Sequence, residues 1–323
     1  MIEDVSHAQL LRPGAAVLVE AELSGAKAYA LKVQAGHVLV RNNDVLPVVD
    51  GKTSTKEFVE YAAHRYNLAD PIREIGTLSS MVFIAGSTNF YHFLMFSLPA
   101  TVFLRSAPGP RVTLGIVNPF APNTAALIHK LLPQIAGRPV DVVTVPPGDY
   151  AARDVIVRAV PMMPFSVAFS RTVQSIVLRA LGFDDPTRKP GPLKLFVRRD
   201  GGRGGRMLLN QAEIEAWCVK HGYMSVEPGK LPLEEQILLF SRATHVVGVE
   251  GAALANLVFA SKVRRVLVLA SPATRREQFF HGLADCAGIQ LTTIYGEVAP
   301  ESNTNDRRAD FVLPIEKVAR LEL

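Results

Sequence analysis

The first 50 residues alternate apolar and polar positions in short extended segments. These segments span residues 15–23, 28–34 and 37–42, and glycines and the Asn42–Asn43 pair set them off. Alternation with a period of two gives a strand one apolar and one polar face. The pattern therefore predicts a small antiparallel β element at the start of the chain.

From residue 80 onward, short apolar runs alternate with amphipathic stretches of helical period. The predicted strands are residues 81–86, 111–117, 140–146 and 154–161. The predicted helices are residues 88–104, 124–135 and 166–182. Strands that alternate with helices of this length are typical of parallel βαβ units.

Residues 183–192 carry prolines, a glycine and charges of both signs, which is typical of a linker. Beyond this linker the alternation resumes, with strands at 193–199, 244–249, 264–271 and 289–296. Helices are predicted at 210–222, 231–243, 251–260, 274–288 and 314–323. We therefore predict an α/β fold in which two Rossmann-like domains, 1–185 and 186–323, face each other. Ligands of such folds bind at the carboxyl ends of the strands, here in the cleft between the domains.

Composition narrows the class of protein. The 323 residues are 48% hydrophobic and 20% charged, which is typical of globular domains. The net charge of +5 is mild, and no Lys/Arg stripe is interleaved with aromatics, so we expect an anionic small molecule or polymer and no nucleic acid. No apolar run approaches a membrane span, and the start of the chain lacks a secretory pattern. With only two cysteines, we expect a cytoplasmic protein.

The first candidate site is an arginine-rich loop that follows the strand 193–199. Four arginines lie within nine residues, together with four glycines that allow close backbone approach to a ligand. The arginines are Arg198, Arg199, Arg203 and Arg206. Guanidinium groups match phosphate oxygens in bidentate geometry. The alternative is a solvated basic loop with no ligand.

The second candidate is the turn between the strand 244–249 and the helix after it. Its small residues would bring free N–H groups close to an anion at a helix N-terminus. The segment contributes Gly248, Gly251, Ala252, Ala253 and Asn256. Glu250 lies in this turn, where a carboxylate repels phosphate but can accept hydrogen bonds from a vicinal diol. The alternative is that Glu250 only caps the helix.

The third candidate is the helix after the strand 81–86, with Ser87 or Thr88 as its expected N-cap. Helical spacing places Asn89, His92 and Phe96 on one face. The opposite face, which we expect in the core, carries Phe90, Phe93, Leu94 and Leu98. A histidine in such a helix can equally be an ordinary core or surface residue.

Four segments in this order resemble glycosyltransferase family 61. They are "NFYHFLMFSLP", "RRDGGRGGRMLLNQAEI", "VEPGKLPLEEQILLFSRATHVVGVEGAALANLVFA" and "DFVLPIEKVARLEL". The resemblance covers roughly residues 80–323, and bacterial members of the family are often described as capsular polysaccharide biosynthesis proteins. Within it, Arg198, Arg206 and Asn210 match the arginines and the asparagine of one motif, and Gly251 and Ala252 match the small-residue turn of another.

The resemblance implies a GT-B fold and the inverting, metal-independent transfer of a hexosyl or pentosyl unit to a glycan acceptor. The donor would be a nucleotide diphosphate sugar, with UDP as the expected nucleotide, and no cofactor is implied. The domain 1–185 would then lie on the acceptor side, and 186–323 would bind the donor. We expect no transmembrane segment in this chain, and peripheral contact with membrane-bound polysaccharide machinery is compatible with this role. No D-x-D motif for a metal ion occurs in the chain.

Two positions depart from the family pattern. Phe96 replaces an acidic residue four positions after the histidine, and Glu250 replaces the histidine of an "HGA" turn. We expect the catalytic base to be His92 or Glu250, with Asn89 positioning the acceptor or the donor sugar. The departures keep a second hypothesis open, a non-catalytic partner subunit that binds sugar nucleotides or polysaccharide. A nicotinamide enzyme has little support, because "GGRGG" lacks the G-x-G-x-x-G spacing and the sequence pattern shows no acid about 20 residues on.

Overall fold

The fold is taken from a computed structural model of the chain. It describes residues 16–23, 26–41, 44–49, 52–53, 74–84, 89–98, 101–105, 107–116, 122–157, 174–175, 177–179, 181–182, 191–199, 206–275, 279–300, 302 and 309–320. The chain divides into two units, Met1–Met163 and Pro164–Leu323. Most of the predicted linker and of the predicted helix 166–182 lies outside the described residues, and the predicted domain boundary after residue 185 stays a prediction.

Unit 1 contains a mixed sheet in which nine described strands take part. They are β1 (Ala16–Leu23), β2 (Ala26–Arg41), β3 (Asp44–Val49), β4 (Lys52–Thr53), β5 (Glu74–Ser79), β6 (Met81–Ile84), β7 (Val112–Ile116), β8 (Val140–Thr144) and β9 (Gly148–Val157). The order is β4-β3-β2-β9-β6-β7-β8, with β1 paired to β2 and β5 paired to β9. The predicted antiparallel start is confirmed in β1 to β3.

The antiparallel start is not a separate small element, however. β2 pairs with β9 over most of its length. Gly36 lies opposite Ala152 within this ladder, so β2 runs through Gly36 without a turn. The predicted turn at this glycine is therefore wrong. Beyond β9, the strands β6, β7 and β8 pair in parallel, as the strand–helix alternation predicts, and the helix α2 (Pro122–Ala136) connects β7 to β8.

The predicted continuous helix 88–104 is wrong. The chain forms a short helix α1 (Phe90–His92), a π-helical turn Phe93–Ser97 and a 3₁₀ turn Thr101–Arg105. Pro99 lies between the last two segments in the sequence. A proline has no backbone N–H to donate to a helical hydrogen bond, and it disfavours helical geometry in the residue before it. The predicted core face is confirmed for Phe93, Leu94 and Leu98, which are fully buried.

Unit 2 is built on a five-stranded parallel sheet of order β11-β10-β12-β13-β14. Its strands are β10 (Leu193–Val197), β11 (Tyr223–Val226), β12 (Ala243–Val249), β13 (Arg265–Ala270) and β14 (Gln290–Tyr295). The sequence analysis missed β11. From β10 the chain first adds β11 on one side and then crosses to add β12, β13 and β14 on the other side. The order of the strands therefore reverses between β10 and β12. Open α/β sheets bind ligands at such a switch point, beyond the carboxyl ends of the strands.

The predicted helices of unit 2 are largely confirmed. They are α3 (Gln211–Lys220), α4 (Leu233–Arg242), α5 (Phe279–Ala287) and α6 (Ile315–Ala319). The segment Ala252–Phe259 differs from the prediction, since it winds as a 3₁₀ helix that begins with a bond from the Leu254 N–H to the Gly251 carbonyl. This helix lies tight on the sheet: a Cβ on Gly248 would stand 2.8 Å from Leu254 Cδ2 and 3.1 Å from Val197 Cβ.

A short antiparallel pair, β15 (Glu297–Val298) with β16 (Phe311–Val312), completes unit 2. The segment before α3 also pairs with this end of the chain, since the Leu209 N–H donates to the Phe311 carbonyl and the Phe311 N–H to the Met207 carbonyl. Within the part of the chain that the structure describes, no helix is long and apolar enough to cross a membrane.

Candidate active site

The candidate site lies at the switch point of unit 2, where β10 and β12 end side by side. Arg198 and Arg199 follow β10, and Glu250 and Gly251 follow β12. Backbone pairing continues past the strand ends, since the Arg198 N–H donates to the Val226 carbonyl at 2.8 Å and the Glu250 N–H to the Leu269 carbonyl at 2.8 Å. The first residues of both loops are therefore held by the sheet itself.

Arg199 is fixed at its backbone and at its guanidinium. The Gln211 side-chain amide accepts a hydrogen bond from the Arg199 N–H at 2.9 Å and donates to the Arg199 carbonyl at 3.2 Å. At the other end of the side chain, Nη1 donates to the Glu250 carbonyl. Gly251 makes room for this contact, because a Cβ at that position would stand 2.8 Å from Nη1.

Arg206 enters the same site from the far end of the arginine-rich loop. Its Nη1 lies 3.8 Å from Glu250 Oε2, and its side chain is 26% exposed. Its φ of +61° is a left-handed conformation that costs energy in a residue other than glycine. The next residue is anchored, since the Met207 N–H donates to Asp310 Oδ1 at 2.7 Å. The left-handed backbone at Arg206 and the anchored residue after it therefore together set the direction of the Arg206 side chain.

The Glu250 carboxylate forms the floor of the site, with a side chain only 9% exposed. Oε2 accepts a hydrogen bond at 2.7 Å from the Thr274 hydroxyl, which also lies 2.9 Å from the Ser271 carbonyl. Because a hydroxyl has one hydrogen to donate, Thr274 can donate to only one of these two oxygens at a time. Burial, followed by the charge of Glu250, raises the pKa of Tyr295, and the neighbouring Arg275 lowers it. Residues after β10, β12 and β13, together with Tyr295 at the end of β14, therefore contribute to one cluster of charged and polar side chains.

Two further predicted residues at this edge have other partners. Arg198 is more exposed, and its Nε lies 3.4 Å from Glu215 Oε2. The Asn210 amide donates to Glu213 Oε2 and to the Leu313 carbonyl, both at 2.9 Å, and its oxygen accepts from the Leu313 N–H. Asn210 therefore attaches the start of α3 to the end of the chain.

The small-residue turn is divided between packing and the site. Gly248 is buried in β12, while Ala252 and Ala253 are half-buried at the start of the 3₁₀ helix. Asn256 is fully buried, and its amide donates to Gln236 Oε1 at 2.8 Å and to the Ala253 carbonyl at 3.0 Å. These contacts link the 3₁₀ helix to α4, so Asn256 has a structural environment, and its role in binding stays a prediction.

The predicted residues of unit 1 follow the carboxyl end of β6. Asn89 is exposed, and its Oδ1 accepts a hydrogen bond from the Tyr91 N–H at 3.0 Å. The N-cap of α1 is therefore Asn89, one residue after Thr88 and two after Ser87, the two expected caps. His92 belongs to α1 by its backbone. The side chains of His92 and Phe96, and all of Arg203, lie outside the described part of the structure.

The structure therefore brings together Arg199, Arg206, Glu250 and Gly251, and it directs Asn210 and Asn256 elsewhere. Sequence reasoning missed Gln211 and Thr274, which hold Arg199 and Glu250. A glutamine at the first position of α3 and a threonine just after β13 are the available signals, and neither is distinctive. Among the described residues, no group of three or more His, Cys, Asp or Glu side chains is placed to hold a metal ion.

An α/β unit with arginines at the switch point of a parallel sheet is suited to bind an anionic ligand such as a phosphate. The model of the Glycosyltransferase 61 family matches residues 90–267, which is more than half of the chain. This chain belongs to glycosyltransferase family 61, and it is a glycosyltransferase. The match includes α1, both strands at the switch point and the turn at Glu250. None of the curated proteins matches it.

The solved structures that the chain matches include TibC, an iron-containing dodecameric glycosyltransferase of enterotoxigenic E. coli H10407. It is 14% identical, with 78% of this chain and 77% of that chain covered and a TM-score of 0.33. A second TibC structure, described as a heptosyltransferase in complex with ADP-D-β-D-heptose, is 13% identical, with 89% and 83% covered and a TM-score of 0.37. Because both scores are low, the family membership rests on the family model alone.

Proposed function

We propose that this glycosyltransferase transfers a sugar from a nucleotide diphosphate donor, UDP-linked in the first instance, to a glycan acceptor. The proposal includes a GT-B fold, inversion at the anomeric carbon, independence of metal ions, and a cytoplasmic role in surface or capsular polysaccharide synthesis. Unit 2 would bind the donor, and unit 1 would bind the acceptor.

The observation that carries this proposal is the pair of arginines on either side of Glu250. In this reaction the glycosidic bond to the β-phosphate breaks, and negative charge develops on the departing diphosphate. Fixed cations that meet this charge lower the barrier, because they need no reorganisation during the reaction. The guanidiniums of Arg199 and Arg206 are such cations, since the first donates to the Glu250 carbonyl and the second lies 3.8 Å from the Glu250 carboxylate.

Glu250 has a supporting role in this account. Its carboxylate is buried, accepts a hydrogen bond from Thr274 and lies 3.8 Å from the Arg206 guanidinium. A buried carboxylate that already has these two partners is better suited to orient Arg206 than to remove a proton. We therefore propose Glu250 as a positioning residue for Arg206, while it stays the second candidate for the base.

His92 is the proposed catalytic base. An inverting displacement needs a base that takes the proton of the acceptor hydroxyl while that oxygen attacks the anomeric carbon. An imidazole is suited to this task near neutral pH. The position of His92 in α1, directly after the loop that follows β6, supports this role, because catalytic residues of parallel sheets lie at that edge.

Turnover tests the proposal directly. Purified protein with EDTA, a panel of UDP-, GDP- and ADP-sugars and a panel of oligosaccharide acceptors should give transfer or slow donor hydrolysis. The anomeric proton of the product, followed by NMR, should report inversion. Neither transfer nor hydrolysis with any donor would contradict the donor assignment, loss of turnover in EDTA would contradict metal independence, and retention would contradict the displacement mechanism.

Matched variants separate the assigned roles. Arg206→Lys keeps the charge and loses the planar fork, so donor binding should weaken by about tenfold or more, since a charge-assisted hydrogen bond contributes about 1.5–3 kcal/mol. Arg111→Lys, on the surface of unit 1, is the control and should leave binding unchanged. His92→Ala should bind the nucleotide as the unaltered protein does and lose turnover.

A further inference from the structure

Glu227 lies at a position in unit 2 that nucleotide-binding folds use for an acidic residue. It directly follows β11, the second strand of the unit β10–α3–β11, whose first loop is the glycine- and arginine-rich segment. In dinucleotide-binding βαβ units, an Asp or Glu at the end of the second strand, about 20 residues after the glycine-rich turn, accepts hydrogen bonds from ribose hydroxyls. Glu227 comes 22 residues after Gly205. The expectation that the acid is missing is therefore wrong, and it failed because β11 was missed.

The end of β11 lies beside the end of β10, next to the arginines. The Arg198 N–H donates to the Val226 carbonyl at 2.8 Å, so the backbone that carries Glu227 is bonded to the first residue of the arginine-rich loop. Strands that are neighbours in a sheet lie about 4.8 Å apart. In a nucleoside diphosphate the ribose lies a few ångströms from the diphosphate. If the diphosphate lies at the end of β10, the ribose can therefore reach the end of the neighbouring strand β11.

The Glu227 carboxylate is largely enclosed and only half satisfied. Its side chain is 15% exposed, and Oε2 lies 2.9 Å from Nζ of the exposed Lys230. The second oxygen, Oε1, is buried and has no hydrogen-bond partner among the described residues. Because a buried acceptor without a donor is unfavourable, a ligand that supplies donors to this carboxylate is stabilised.

The chemistry of the missing partner follows from the carboxylate. An ionised carboxylate only accepts hydrogen bonds, so the partner must carry O–H or N–H groups, and a vicinal diol offers two O–H groups with matching spacing. The Glu227 side chain has staggered alternatives at its sp³ torsions, and a change of rotamer that carries the carboxylate toward the open, Lys230 side lets both oxygens accept hydrogen bonds from a ligand. Lys230 keeps the negative charge compensated during this change.

We propose that Glu227 binds the 2′- and 3′-hydroxyls of the ribose in the donor nucleotide. This inference rests on the proposed function, since it assigns the ribose subsite of the same donor site. Because ribose is common to all ribonucleotide donors, the assignment is independent of the base. It also divides the site: the arginines at β10 and β12 hold the diphosphate, and the acid at β11 holds the sugar of the nucleotide.

Isothermal titration with the intact protein tests this subsite. UDP, GDP and ADP are compared with their 2′,3′-dideoxy counterparts on the unaltered protein, on Glu227→Ala and on Glu235→Ala. Glu235 is the matched control, because it is an exposed glutamate in the first turn of α4 and its loss changes the net charge equally. If Glu227→Ala does not fold, as judged by circular dichroism, the isosteric Glu227→Gln takes its place.

The unaltered protein should bind the ribonucleotide about tenfold or more tightly than its dideoxy counterpart, as expected for hydrogen bonds to a charged group. The Glu227 variant should bind both with the same weak affinity, and Glu235→Ala should behave as the unaltered protein. If the Glu227 variant still distinguishes the two ligands by the full factor, or the unaltered protein does not distinguish them, the ribose assignment is overturned and the donor site stands. If the unaltered protein binds no nucleotide at all, both proposals are overturned.

Discussion

The replacement of Gly251 by alanine should separate ligand binding from stability. The backbone at Gly251 is extended, with φ of 174°, so an alanine is accommodated there without conformational strain. The added Cβ would stand 2.8 Å from Arg199 Nη1, which is the far end of a long side chain and donates to the Glu250 carbonyl. The guanidinium can therefore move aside, but in doing so it leaves the Glu250 carbonyl and the position in which it meets the diphosphate.

The expected magnitudes follow from these contacts. The free energy of unfolding should fall by no more than about 1 kcal/mol, the net contribution of one hydrogen bond, because the added Cβ displaces the far end of one side chain and no backbone. Nucleotide affinity should fall by about tenfold, because one charge-assisted hydrogen bond of about 1.5–3 kcal/mol is weakened or lost. Gly248→Ala is the contrasting variant: its Cβ would meet the buried Leu254 at 2.8 Å, and overpacking of this kind costs about 1–3 kcal/mol of stability.

Urea unfolding and isothermal titration with UDP, GDP and ADP measure the two quantities. If Arg199 mediates the effect, Gly251→Ala should cause no further loss of affinity in an Arg199→Ala background. The reasoning is refuted if the two single losses simply add, if Gly251→Ala binds as tightly as the unaltered protein, or if it loses as much stability as Gly248→Ala.

Three further predictions concern groups that are not proposed to contact the diphosphate themselves. Thr274→Val removes the hydroxyl that donates to Glu250 and keeps the shape, so nucleotide affinity should fall, while Thr274→Ser should restore it; equal affinities in titration would exclude the orienting role. Arg138 donates to the carbonyls of Leu104 and Ala107 and so closes the loop after the 3₁₀ turn of unit 1. Arg138→Lys should therefore lower the free energy of unfolding by about 1–3 kcal/mol in the urea assay. Arg111→Lys, in an exposed ion pair, is the control and should lower it by less than about 1 kcal/mol. Burial, followed by the charge of Glu215, raises the pKa of the Cys218 thiol to about 12. Because this folded pKa exceeds the unfolded one, the stabilisation is complete below the unfolded pKa and is lost as the pH rises toward about 12, and in a Cys286→Ser background Cys218 should resist thiol reagents at pH 8 until the protein unfolds. Rapid labelling of the folded protein would contradict this burial.

The sequence predicts the fold of unit 2 well because its signals are local. The apolar run 264–271 forms the central strand β13, which is buried on both faces from Val266 to Ala270, and the run 289–296 forms the edge strand β14, which is only partly buried. β11 was missed because it has only four residues, Tyr223–Val226, of which only the first and the last are buried, and because it lies within a polar stretch. A short edge strand of this kind has no apolar run, and its identity depends on β10 beside it.

The site is predictable only in part, for a similar reason. The arginines and the glycines stand out in the sequence, and the structure brings Arg199, Arg206 and Gly251 together. Which arginine points where depends on partners that are distant in the chain, such as Asp310 for the loop end at Met207 and Glu215 for Arg198. The contacts of Asn210 and Asn256 likewise arise from tertiary pairing, which no spacing rule encodes.

The central claim is that the switch point of unit 2 holds the diphosphate of the donor. A crystal structure of the protein with the ribonucleoside diphosphate that binds most tightly among UDP, GDP and ADP tests it most directly. The account predicts phosphate oxygens within hydrogen-bond distance of the guanidiniums of Arg199 and Arg206, above the turn at Gly251. A nucleotide bound elsewhere, with both guanidiniums still on Glu250 and no phosphate beside them, would contradict it.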